Sequence, residues 1–205
     1  MLITKVKTKE ELLPALTGRV LVIPCLGCSQ SYFPLEEFNR LKDELKASGA
    51  NLASEVTFDY MCREDFTERR LEIYREQIEA ADTVLVFSCG VGIQTFAGLL
   101  PGKKIVSGSD TFYVPGFPGF TPSEHDCEQC GECRMGLTFG ICPVTACSKG
   151  LLNGQCGGAK DGKCEVDKNM ACGWQRIFER MSALKGSDKG LKEGVQVRDY
   201  KKSNI

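Results

Sequence analysis

The sequence predicts an α/β fold: a small parallel sheet with helices on its faces, followed by a Cys-rich, metal-stapled irregular segment and a C-terminal helix. Two observations carry this. Continuous apolar runs at Val20-Leu21-Val22-Ile23 and Val84-Leu85-Val86-Phe87 alternate with stretches of helical periodicity, the pattern of strands buried on both faces. The 12 cysteines of the 205-residue chain fall into two groups, at 25, 28, 62 and 89 and then at 127, 130, 133, 142, 147, 156, 164 and 172.

The first strand is Val20–Ile23. Leu35, Phe38, Leu41 and Leu45 then recur at helical spacing, and Gly49 can end that helix. A weaker strand is expected around Leu52–Phe58. Asp65 with Glu68 reads as a capping box, and Leu71, Tyr74, Ile78 and Ala81 form the apolar stripe of a second helix. Val84–Phe87 is the next buried strand. Gly92 to Leu100 is a short helix stopped by Pro101, and Ile105-Val106 supplies a fourth strand. The β-α-β-α-β-α-β order implies parallel strands joined by crossover helices.

The chain divides into an α/β domain with a four-cysteine site (1–113), a linker (114–124), a Cys-rich iron–sulfur or zinc segment with a C-terminal helix (125–184) and a mobile tail (185–205). The linker is rich in Pro and Gly. Residues 125–165 hold eight of the 22 glycines and few apolar residues, so they are expected to build little core and to need staples. Trp174, Ile177, Phe178, Met181 and Leu184 mark an amphipathic helix. The tail is polar.

Lys+Arg is 26 against Asp+Glu 27, a net charge of -1, which argues against a nucleic-acid partner. No apolar run approaches the ~20 residues of a membrane helix, so no membrane insertion is expected. The charged Met1–Leu12 stretch does not suit an export signal, and a cytoplasmic location is expected. There the thiols stay reduced, so 12 cysteines point to metal, redox chemistry or both rather than disulfides.

Cys25 and Cys28 follow the first strand, Cys62 lies past the second, and Cys89 follows the third. Parallel strands end on one edge, where ligands of open α/β sheets bind, so four distant thiolates can converge there. Four cysteines are the usual ligand set of an iron–sulfur cluster or a tetrahedral zinc. One close pair with two distant singles favours [4Fe–4S], since zinc sites more often use two close pairs. A thioredoxin-like dithiol at Cys25 and Cys28 would leave Cys62 and Cys89 unexplained. Buried free cysteines are the bland alternative.

Cys127-x2-Cys130-x2-Cys133 matches the start of the bacterial ferredoxin run, although Cys142-Pro143 follows after eight residues instead of three. With Cys147, Cys156, Cys164 and Cys172 there are ligands for two [4Fe–4S] clusters, or for one cluster and a zinc. The fourth partner of 127, 130 and 133 is open between Cys142, Cys147 and a later cysteine. The single histidine, His125, reads as a surface residue of a polar turn. Arg63, Lys149 and Lys160 can offset cluster charge or simply be solvated. There is no Walker A motif, no GxGxxG and no CxxxCxxC, and nothing marks an organic substrate pocket.

Gly140-Ile-Cys-Pro-Val-Thr-Ala-Cys-Ser-Lys-Gly-Leu-Leu-Asn-Gly-Gln-Cys-Gly-Gly158, Cys127-Glu-Gln-Cys-Gly-Glu-Cys133 and Pro24-Cys-Leu-Gly-Cys28 resemble the methylenetetrahydrofolate reductase C-terminal-type family. These are the small MetV-type iron–sulfur subunits of acetogens and related bacteria and archaea. The resemblance runs over nearly the whole chain up to the tail. It implies a partner, the larger flavin-binding subunit that reduces methylenetetrahydrofolate to methyltetrahydrofolate. It also implies two or three [4Fe–4S] clusters, with zinc able to replace one, and no flavin on this chain alone. Electrons would come from ferredoxin or another iron–sulfur protein, within the Wood–Ljungdahl branch of one-carbon metabolism. The competing readings are a zinc-stabilised structural or regulatory subunit of the same complex and a stand-alone thiol redox protein.

Overall fold

The computed structural model describes residues 2–112, 127–184 and 194–202. The expected linker at 114–124, His125 and the first part of the tail lie outside them.

Four parallel strands form the main sheet: β2 (Val20–Pro24), β4 (Leu52–Glu55), β5 (Thr83–Phe87) and β6 (Lys104–Ser107), in the order β4-β2-β5-β6. The inner strands β2 and β5 are buried along their whole length, as their apolar runs require. The pleat divides them between two cores. Leu21, Ile23, Val84, Val86 and Ile105 face one side, packed with Ile78 of α4 (Arg75–Ala80) and Ile93 and Phe96 of α5 (Gly90–Leu99). Val20, Val22, Leu85, Phe87 and Val106 face the other, packed with Leu12 of α1 (Lys9–Leu12) and Phe38, Leu41 and Leu45 of α2 (Leu35–Ala47).

Two local expectations are corrected. The stripe Leu71–Ala81 is carried by two helices, α3 (Glu64–Ile73) and α4, which meet at Tyr74 with φ −103° and ψ 21°, so the stripe turns at that residue. Asp65 and Glu68 form no capping box, because Asp65 lies inside the first turn of α3 and binds the Arg63 guanidinium. The capping box is at Thr8 and Glu11, opening α1.

A second sheet was not expected. β1 (Leu2–Val6) pairs parallel with β3 (Ser31–Tyr32) and antiparallel with β7 (Ser109–Phe112). The chain leaves the main sheet at Ser107 and joins the small one at Ser109, with Gly108 between them.

The Cys-rich segment has more core than its composition suggests. Phe139, Trp174, Ile177 and Met181 are buried together, the last three from α7 (Gly173–Ala183). Phe178 is not part of this face and is 42% exposed. Arg180 is buried in its place, at 8%. Its guanidinium Nη1 donates to Ala97 O at 2.6 Å, and Nη2 donates to Leu100 O at 2.8 Å and Lys103 O at 3.3 Å. Ala97 and Leu100 stand at the C-terminal end of α5, where the helix dipole favours a cation, and Lys103 lies just beyond it. Burial lowers the Arg180 pKa to about 10, still well above neutrality. Replacing Arg180 by Leu removes these charge-assisted hydrogen bonds and should lower stability by about 2 kcal/mol. Urea unfolding measures this directly, and an unchanged midpoint would show that α7 docks through its apolar face alone.

Candidate metal centre

The strand ends deliver the first four cysteines as their positions imply. Cys25 directly follows β2, its amide donating to Phe87 O at 2.8 Å, and it bridges to Phe58 beyond β4. Cys62 precedes α3, and Cys89 caps α5 just past β5. Cys25, Cys28, Cys62 and Cys89 line one cavity, closed on its far side by Thr4 of β1 and Ser31 of β3. The small sheet therefore walls the edge of the large one.

A second cavity is lined by Cys127, Cys130, Cys133 and Cys142, with Gly90, Gln94 and Thr111. Of the partners left open for the ferredoxin-like triplet, the structure brings Cys142 to it. The triplet is stitched to β7: Cys130 bridges to Phe112, and Gly131 N–H donates to Thr111 O at 3.0 Å. Gly131 has φ +69°, and a side chain there would strike the Phe112 ring. Glycine is thus required by both conformation and space.

Cys147, Cys164 and Cys172 lie around the junction of α6 (Pro143–Ala146) with α7. Cys147 and Cys172 cap the facing helix ends, Ser148 Oγ lies 3.5 Å from Cys164 Sγ, and Gln155 Nε2 lies 3.7 Å from Cys172 Sγ. Cys156 is exposed. Among the described residues, no three Cys, His, Asp or Glu side chains already stand as a metal-ligating group.

The fit to a metal group rests on the donors and their surroundings. Burial pushes the Cys25 thiol up to about 12, while the Met61 amide and the Ser88 hydroxyl point at its sulfur. Burial likewise raises Cys89, opposed by the amides of Gly92 and Val91 at the start of α5. In the second cavity burial raises Cys127, opposed by the Gln129 amide, and Cys142, opposed by the Thr145 hydroxyl and amide. Cys133 is pushed up to about 12 by burial, with the Ser107 hydroxyl 3.4 Å from its sulfur. Sheltered thiols faced by N–H and O–H donors are what cysteine-ligated clusters use. Cys164 is the contrast: it is lowered, first by the Ser148 hydroxyl and then by nearby amides.

The residues considered as charge partners are engaged elsewhere. Arg63 pairs with Asp65 and lies over the Phe66 ring, and Lys149 pairs with Glu165. Lys160 pairs through its backbone with Lys163. The cation that sequence reasoning missed is Lys7, just past β1. It binds Asp110 at 2.7 Å, and Asp110 accepts the Cys133 N–H at 2.7 Å. Burial works against the Lys7 charge, but Asp110 more than offsets it and raises the Lys7 pKa. Also unforeseen is a cavity of about 590 Å³ between α5, α6 and α7, with Gln94, Arg176 and Arg180 in its wall. Its wall comes from segments far apart in sequence.

Residues 107–201 match the family model described as methylene-tetrahydrofolate reductase C terminal. Over that stretch, just under half of the chain, the sequence is similar to this family. The match starts later than the expected resemblance, which covers nearly the whole chain. It takes in the four cysteines of the second cavity and the α6–α7 junction, and it leaves Cys25, Cys28, Cys62 and Cys89 outside. No curated protein and no solved structure matches the chain. Residues 197 and 198, also inside that segment, lie along the triplet: Arg134 Nη2 donates to Val197 O at 2.6 Å, and Arg198 pairs with Glu128 at 2.7 Å.

The Lys7–Asp110 pair gives a test of how the second cavity is supported. Asp110→Asn leaves the largely buried Lys7 ammonium with only the longer 3.6 Å pairing to Glu11 and should cost about 2 kcal/mol. Adding Lys7→Met should recover part of that loss. Chemical unfolding of the two variants checks the order, and an unaffected single variant would remove the pair from the support of Cys133.

Proposed function

We propose that this chain is an iron–sulfur electron-transfer subunit working with a flavin-binding methylenetetrahydrofolate reductase. One observation carries the reading: eight cysteines line two cavities, four to each, in a chain whose residues 107–201 are similar to a reductase family. Cys25, Cys28, Cys62 and Cys89 would hold one [4Fe–4S] cluster, and Cys127, Cys130, Cys133 and Cys142 another. Such clusters supply one-electron chemistry, whereas flavins collect two electrons and perform hydride chemistry. This chain's own part is to keep water from the sulfurs, to aim amide and hydroxyl donors at them, and to keep them ionised once metal is bound. The donor would be ferredoxin or a similar iron–sulfur protein, and the twelve thiols suit a reducing compartment such as the cytoplasm. Among the described residues no helix is long and apolar enough to cross a membrane.

Zinc is favoured at one place. Cys147, Cys164 and Cys172 lie around a junction of short turns, with Cys156 exposed on the same segment, the setting of a structural zinc that fixes a small segment. A dithiol redox role for Cys25 and Cys28 is not favoured, because burial holds the Cys25 thiol at about 12 and thiol exchange needs a readily ionised sulfur.

Anaerobic purification with metal analysis and a visible spectrum tests the reading. Cys62→Ala and Cys130→Ala should each lose about four irons per chain, one cluster's worth, and leave the other site filled. Added to the flavoprotein, the wild-type chain should speed viologen-driven reduction of methylenetetrahydrofolate, and alone it should reduce none. A colourless, zinc-only protein that adds no activity would make it a structural subunit.

A further inference from the structure

The two cavities are lined by neighbouring residues of the chain. Cys89 lines the first, and Gly90, the next residue, lines the second. The φ of Gly90 is not in the left-handed region, so conformation does not demand glycine there. Space does: an added Cβ would run into Cys127 Sγ, 3.2 Å from Cys127 Cβ and 3.7 Å from Met135 Cε. Nor can the backbone yield. Gly90 N–H donates to Thr111 Oγ1 of β7 at 2.9 Å, and Gly90 O accepts from Gln94 Nε2 at 3.2 Å.

Resting on the electron-transfer reading, we infer that Gly90 is the positioning residue that seats Cys127 against the start of α5, so that the two four-thiol sites work as one coupled pair. A single peptide unit then separates a sulfur of one site from the wall of the other, with no side chain between. Cys25, Cys28, Cys62 and Cys89 would hold one cluster and Cys127, Cys130, Cys133 and Cys142 the other, and such a pair would supply one-electron exchange between the sites. No proton or bond changes place. The electron comes from an external one-electron reductant.

The test uses the full chain, purified anaerobically as wild type, Gly90→Ala and Gly102→Ala. Gly102 is the control, because a Cβ there meets nothing within 4 Å. Iron and zinc per chain are measured, and electron paramagnetic resonance spectra are recorded during stepwise reduction by dithionite, which is oxidised to sulfite. Wild type and Gly102→Ala should show isolated signals at partial reduction and broadened, interacting signals at full reduction. Gly90→Ala should lose about four irons per chain and keep only the isolated signal of the 25/28/62/89 site. Wild-type iron with the same interacting spectrum in Gly90→Ala would overturn the inference. If Gly90→Ala does not fold, the wild type still decides: signals at full reduction that are the plain sum of independent centres overturn the coupling. Iron absent from the wild type, with zinc in its place, would instead overturn the electron-transfer reading beneath it.

Discussion

Desolvation of sulfur governs this molecule. Cys25, Cys89, Cys127, Cys133 and Cys142 all have thiols raised by burial, so the metal-free fold carries them neutral. A neutral thiol is close to a small hydrophobe and sits against the main core without penalty, as Cys25, Cys133 and Cys142 do. An ionised thiol in the same place is costly until a cation compensates it. Metal binding to such sites would therefore release protons and add its free energy to folding.

The placement of those sulfurs follows from the sheet. Parallel strands end together, and every residue just past an end is carried to the same edge. β7 then turns the chain back across that edge, and the Cys127–Cys133 triplet is laid against it through Phe112, Thr111 and Asp110. The long-range polar contacts at this edge are few and specific. Asp110 serves Lys7 and Cys133 at once, and Thr111 serves Gly90 through its side chain and Gly131 through its backbone.

The main sheet was legible because its inner strands β2 and β5 are apolar on both faces, a run no amphipathic helix produces. The gathering of Cys25, Cys28, Cys62 and Cys89 was legible for the same reason. The small sheet was not. β1 reads Leu-Ile-Thr-Lys-Val, an unremarkable mixture, and its partners at 31–32 and 109–112 are distant and short. Cys142 could not be chosen over Cys147 from spacing, since the intervening turn depends on Phe139 at φ 52° and Gly140 at φ 90°, which sequence does not announce. Nor does the sequence mark Arg180, which stands outside the apolar stripe read for α7. Its burial depends on carbonyls at the end of another helix, and a single-helix pattern contains no trace of them.

The pairing of β7 with β1 bears on what counts as a module here. The segment similar to the reductase family starts at residue 107, yet its first strand completes a sheet whose middle strand is residues 2–6. A gene fragment encoding only that segment would begin with an orphan strand: the β1 ladder partners Ile3 to Val6 would be gone, and Asp110 would have no Lys7. Sequence comparison draws the border through the middle of a physical unit. Any grafting or truncation of this architecture has to carry the first few residues of the chain along with the cysteine-rich end.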